Sequence, residues 1–162
     1  MREQTAELVL PLPADFNRDA FLDFHRRDVQ AVAEKVDAGM LEKAFIWQQV
    51  PTLLTVAFHE PGQARITLQC DAEVPSASVS LDAFARHLLG LDQPTQEFEA
   101  QTGRHPLVGA MVRTQAGLRV PQSASPFEAL SWAIIGQQIS VAAAVSIRRR
   151  FIQRLGRRHS NG

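Results

Sequence analysis

Residues 52–70 read Thr52-Leu53-Leu54-Thr55-Val56-Ala57-Phe58-His59-Glu60-Pro61-Gly62-Gln63-Ala64-Arg65-Ile66-Thr67-Leu68-Gln69-Cys70. Two runs rich in strand formers flank the clearest turn in the chain, Glu60-Pro61-Gly62-Gln63. The second run alternates apolar and polar residues with period two, the mark of a half-buried strand. This stretch predicts an antiparallel hairpin. Upstream, Leu41–Gln48 predicts a strand that breaks before Pro51, and Asp37-Ala38-Gly39 predicts a turn. Val29–Val36 alternates loosely and is expected to be a strand. Phe16, Ala20, Phe21 and Phe24 recur at helical spacing, so 16–27 is expected to be helical, with Asp15 or Asn17 as its cap. Glu7–Leu10 is a β-prone run ending at Pro11. A strand, a helix and then hairpin strands imply an α+β unit, an antiparallel sheet with a helix packed on it.

Downstream the pattern changes. Residues 71–80 (DAEVPSASVS) form a Pro/Ser-rich linker. Leu81–Leu89 predicts a helix with Ser80 as cap and Gly90 as stop. Short helices are expected over Thr95–Gln101 and Pro106–Arg113. Gly117–Pro121 reads as extended. Pro126–Gly156 predicts two helices joined at an elbow, Gly136-Gln137-Gln138-Ile139-Ser140. Ser125 or Ser123 can cap the first and Ser140 the second, while Pro126 suits the first helical position. Phe127, Leu130 and Ile134 on the first, and Ala144, Ile147, Phe151 and Leu155 on the second, are expected to be buried stripes.

The string Ala133-Ile134-Ile135-Gly136-Gln137-Gln138-Ile139-Ser140-Val141-Ala142-Ala143-Ala144 resembles the opening of the helix-hairpin-helix superfamily of DNA glycosylases. It is most similar to the DNA-3-methyladenine glycosylase II branch, with the pattern A-I-x-G-Q-x-[VI]-S-x-x-x-A. Gly117-Leu118-Arg119-Val120-Pro121 followed by Phe127-Glu128 matches the same branch, and the likeness runs from about Ala6 to Gly156. It implies an N-terminal domain laid out like half of a TATA-binding protein, followed by the start of an all-helical glycosylase domain. The expected division is 1–78 for the α+β domain, 79–121 for connecting helices and 122–162 for a truncated start of the helical domain.

The implied function is an N-glycosylase for alkylated purines in base-excision repair, acting on double-stranded DNA. An enzyme that works on a base inside a duplex extrudes it and leaves a gap in the stack. In the resembled family the elbow supplies a wedge for that gap, at the position of Gln138, with Gln137 beside the lesion pocket and Ile139 and Ser140 completing the elbow. Phe24 falls where the family places a residue at the pocket edge. The resemblance implies no metal and no organic cofactor. It places the catalytic aspartate and the hairpin beyond Gly162, so no catalytic residue is assigned here and the 162 residues alone are expected to be inactive. The alternatives are a non-catalytic DNA-binding or interaction domain, or an inactive fragment.

Composition narrows the function classes. Apolar residues at 45% and charges at 21% describe a globular chain. No apolar run approaches the roughly 18 residues of a membrane span, and no secretory signal is evident. One cysteine, Cys70, excludes an intrachain disulfide or a cysteine-based cluster within these residues. No histidine pair has zinc-ligand spacing. These features favour a cytoplasmic protein. The formal net charge is zero, yet all 17 acids lie in residues 1–128, and residues 129–162 carry six arginines. That asymmetry suggests a polyanion partner. Arg148, Arg149 and Arg150 are the expected phosphate contacts. A half-built helical domain also leaves an apolar face, which a second copy of the chain is expected to cover.

Overall fold

The computed structural model describes residues 4–74 and 80–160. Five strands, β1 (Gln4–Pro11), β2 (Glu34–Asp37), β3 (Met40–Trp47), β4 (Val50–Ala57) and β5 (Gln63–Cys70), form one antiparallel sheet in the order β1-β5-β4-β3-β2. The expected hairpin is β4–β5, with Thr52 opposite Cys70. Register explains the core. Leu41 faces Val56, Val56 faces Ile66, Leu54 faces Leu68 and Leu10 faces Ala64, so the buried residues of four strands share one side. A slip of one residue in any strand would turn that set to solvent.

Helix α1 (Arg18–His25) brings Phe21 and Leu22 to this face, and Asn17 caps it by accepting from the Ala20 N–H at 3.0 Å. Helix α2 (Leu81–Leu89) adds Phe84, Ala85, Leu88 and Leu89 to the same core. Its caps are those expected: Ser80 accepts from the Ala83 N–H, and Gly90 takes the left-handed conformation with φ 67°. An added Cβ at Gly90 would also meet the Val120 carbonyl at 3.0 Å. Three helices follow the sheet unit further along the chain, α3 (Thr95–Thr102), α4 (Gly109–Thr114) and α5 (Pro126–Ile135), and α6 (Val141–Leu155) closes the series. From Leu81 onward the described residues contain no strand. The linker expected at 71–80 lies partly outside the described residues.

Four expectations are corrected. The strand pair expected around Pro51 has a tighter connection than expected, a two-residue hairpin at Gln48-Gln49, where both residues have positive φ (46° and 71°). Pro51 sits inside β4 where the β4–β5 ladder ends, so its missing N–H interrupts little. The strand expected over Val29–Val36 shrinks to β2, because Asp28 binds the Gln30 N–H through its side chain and the Ala31 N–H through its carbonyl, closing a turn. The helix expected over Pro106–Arg113 begins only at Gly109.

The largest correction concerns α5. Phe127, Leu130 and Ile134 are 67%, 61% and 60% exposed rather than buried. The side turned inward carries Glu128, Ser131, Trp132 and Ile135 instead. On α6, Ala144 is buried as expected, with Val145, but Ile147, Phe151 and Leu155 are exposed. Phe127 and Phe151 stack on each other with centroids 6.3 Å apart, so the two apolar stripes meet each other more than they meet the sheet.

Candidate base-binding cavity and elbow

What draws the polar side of α5 inward is a lysine. Along β3 the inward positions are Leu41 and then Lys43, so strand parity alone puts Lys43 in the core, where its side chain is 3% exposed. A buried ammonium needs carboxylates around it. Glu34, at the start of β2, supplies one at 2.6 Å from Lys43 Nζ. Glu128, on the first turn of α5, supplies the second at 2.7 Å. Arg148 of α6 joins them, 2.8 Å from Glu128 Oε1 and 3.4 Å from Glu34 Oε1. The other Glu128 oxygen accepts from the Ala124 N–H at 2.8 Å. His25, at the end of α1, stands 2.8 Å from Glu34 Oε2 through Nδ1. An ionised carboxylate only accepts, so Nδ1 carries the proton. His25 Nε2 is buried without a hydrogen-bond partner among the described residues.

Burial alone would push the Glu34 carboxyl up. The hydrogen bond from His25, with the charge and hydrogen bond of Lys43, outweighs it and holds Glu34 well below the usual carboxylate range. Glu34 is therefore a fixed anion, unsuited to proton transfer at neutral pH. The cluster holds α5 and α6 against the sheet.

Beside it lies a cavity of about 220 Å³, lined by Phe24, His25, Arg27, Glu34, Lys43, Glu128 and Trp132, with the 121–123 segment at its rim. Its character is aromatic and cationic. The Arg27 guanidinium lies over both the Phe24 and Trp132 rings, and that of Arg148 lies 5.0 Å from the Trp132 centroid. Such a space can bind a flat, polarisable ring.

Helix α5 runs from this cavity to the elbow. Ser125 and Ser140 cap α5 and α6, accepting from the Glu128 and Ala143 N–H groups. Gln137, Gln138 and Ile139 are exposed, and Gln138 has φ 57°, a left-handed conformation that costs a non-glycine residue on the order of 1 kcal/mol or more. Phe24 is half-buried on the cavity wall.

The three expected phosphate-binding arginines are separated. Arg148 belongs to the buried cluster. Arg149 pairs with Asp28 at 2.6 Å. Arg150 is exposed. The ion-paired positions Glu34, Lys43 and Glu128, and Arg27 and Trp132 as cavity walls, were not assigned from sequence. One signal for them was available, a lysine on the buried parity of a strand.

Residues 7–125 match the AlkA N-terminal domain family. The chain belongs to that family. The match ends at Ser125, the cap of α5, so α5 and the elbow lie beyond it. A curated relative, DNA-3-methyladenine glycosylase of Bacillus subtilis (strain 168), is 24% identical over 152 residues, 92% of this chain and 50% of the relative. The solved 3-methyladenine DNA-glycosylase from Archaeoglobus fulgidus is similar with a TM-score of 0.69 at 20% identity, over 91% of this chain and 50% of that one. That likeness shows the α+β fold read from the sequence. The chain spans about half the length of the relatives it matches. No helix among the described residues is long and apolar enough to cross a membrane.

Proposed function

We propose that these residues are the N-terminal portion of a DNA N-glycosylase for alkylated purines, of the DNA-3-methyladenine glycosylase II type, that works in the cytoplasm on double-stranded DNA. One observation carries this reading. A single helix, α5, links an aromatic cavity at Trp132 to an exposed elbow at Gln138, held in a left-handed conformation. The elbow wedges into the stack while the cavity receives the extruded ring. Filling the gap offsets an unstacking cost of a few kcal/mol, and an amide can also hydrogen-bond the widowed partner base.

In this reading the organisation is an α+β domain over 1–78, connecting helices over 79–121 of which α2 is fused to the sheet core, and the beginning of a glycosylase domain over 122–162. The carboxylate that answers the charge developing on the sugar comes from outside these residues. Residues 129–162 contain no acid, and Glu34 and Glu128 are both spent on cations. In the isolated chain a second copy covers the exposed apolar side of α5 and α6.

The test is incubation of the purified 162 residues with duplex DNA carrying a 3-methyladenine analogue, followed by an assay for abasic sites. The expected result is DNA binding in the roughly 10⁻⁴–10⁻⁶ M range and no excision. Multiple turnovers would place the catalytic acid within residues 1–128 and overturn the assignment. The paired state of Glu34 and Glu128 favours one second reading, a non-catalytic DNA-binding or interaction domain. The coding frame downstream of Gly162 separates the two: a Leu-x-x-Gly-x-Gly string with an aspartate shortly after it supports the enzyme, and a stop codon supports the binding domain.

A further inference from the structure

The aromatic site in the cavity is already filled. The Arg27 guanidinium carbon is 3.7 Å from the Phe24 ring centroid and 5.1 Å from that of Trp132, so one cation touches both rings. Its Nε donates to the Phe24 carbonyl at 2.7 Å, which folds the side chain back over its own turn. Lys43, Arg148 and Arg149 are each fixed by carboxylates. Arg27 has no ion pair among the described residues and is held by the two rings and that one carbonyl. Burial pulls its pKa below the ordinary arginine value. The charge of Arg148 adds to this, and Glu34 and Glu128 oppose it. The residue as a whole is nonetheless exposed, so its side chain can swing to solvent without moving the backbone.

We infer that Arg27 is an internal plug: it occupies the Phe24–Trp132 site in the unliganded protein and leaves it when an alkylated, cationic base enters. This inference rests on the base-binding reading above. The exchange is one cation for another. The rings keep a positive partner, the charge of the cavity is unchanged, and Glu34 and Glu128 keep Lys43 and Arg148. A neutral ring that displaces Arg27 gives up the cation–π contact and returns only stacking. At about 220 Å³ the cavity is below the roughly 300–1,000 Å³ of sites for drug-sized ligands, which suits a single base. The plug weakens every base by the same factor, because each must first expel the same side chain. Its effect is a threshold, which a cationic base passes at concentrations where a neutral base does not.

The probes are N7-methylguanosine, a cationic nucleoside, and guanosine, its neutral parent, titrated by calorimetry into the chain and into Arg27→Ala. The expected result is that N7-methylguanosine binds the chain more tightly than guanosine. Arg27→Ala should tighten both about tenfold and leave their ratio unchanged, with a small fall in melting temperature from the lost ring contacts. Arg27→Lys, a cation without the planar stacking group, should fall between. In the Arg27→Ala background, Phe24→Ala should lower N7-methylguanosine affinity more than guanosine affinity. Equal or weaker binding by Arg27→Ala overturns the plug while a preference for the cationic probe leaves the base-binding reading standing. Equal binding of both probes to both proteins, or binding of neither, overturns the two together.

Discussion

The sheet unit and the helical elbow are built on opposite rules. In the sheet, apolar residues face in and the ladder fixes which ones: Leu54, Val56, Ile66 and Leu68 are buried by strand parity alone. In the α5–α6 pair most large apolar residues face out, and charges tie the pair to the sheet unit, Glu128 and Arg148 through the cluster and Arg149 through Asp28. Burial of carbon surface is non-directional and survives small shifts. A buried ion pair works only in one geometry, and it becomes a liability once a member is lost. The first region is therefore held by packing, and the second is positioned by its charges.

Removing one member from each region gives the largest effects. Lys43→Met should destabilise by about 3–5 kcal/mol, because it removes the most buried cation of the cluster and leaves Glu34 and Glu128 to share Arg148. Leu54→Ala should cost about 2–5 kcal/mol through the cavity it leaves. Urea unfolding checks both. Phe127→Ala and Leu130→Ala, which remove equally large side chains from α5, should change stability by no more than about 0.5 kcal/mol in the monomer. If they cost as much as Leu54→Ala, the outward face of α5 is packed in solution and the contrast fails.

Next in size is a pH effect. Glu34 has a folded pKa depressed below its unfolded value of 4.5. Its contribution is present in full above that value and is lost as the pH falls below it. Glu34→Gln should lower stability at pH 7 and flatten the loss between about pH 5 and pH 2. Thermal melting across that range is the measurement.

The smallest effect separates the arginines. Arg150→Ala should reduce the slope of DNA affinity against salt by about one phosphate contact and leave melting unchanged. Arg148→Ala and Arg149→Ala should lower the melting temperature instead. The same change of slope for all three would mean that the ion pairs open when DNA binds.

These contrasts also mark what the sequence could say. Strand alternation located β5 and the β4–β5 hairpin, and the Ser80 and Gly90 caps located α2, because such rules are local. The faces of α5 were misread because helical periodicity reports which side is apolar, not which side has a partner. Here the partner is Lys43, 85 residues away from Glu128, and no local pattern links the two. The Gln48-Gln49 turn was missed for a different reason, since two-residue hairpins are usually marked by Asn or Gly. The resemblance pointed to Phe24, which lines the cavity, and to Gln137 and Gln138, which are exposed at the elbow. Arg27 and Trp132, which close the cavity around Phe24, came together only in three dimensions.

The separation between Lys43 and Glu128 also has a meaning during synthesis. At roughly 5–20 residues per second, Glu128 is added about 4–17 s after Lys43. By then every strand of the sheet, and α2, has left the site of peptide-bond formation. Once β5 has been made, the newborn sheet can begin to bury its leucines while Lys43 has Glu34 as its one carboxylate. The nascent half-molecule waits with a solvated lysine at the edge of an otherwise finished core, and the arrival of α5 is what shuts the water out.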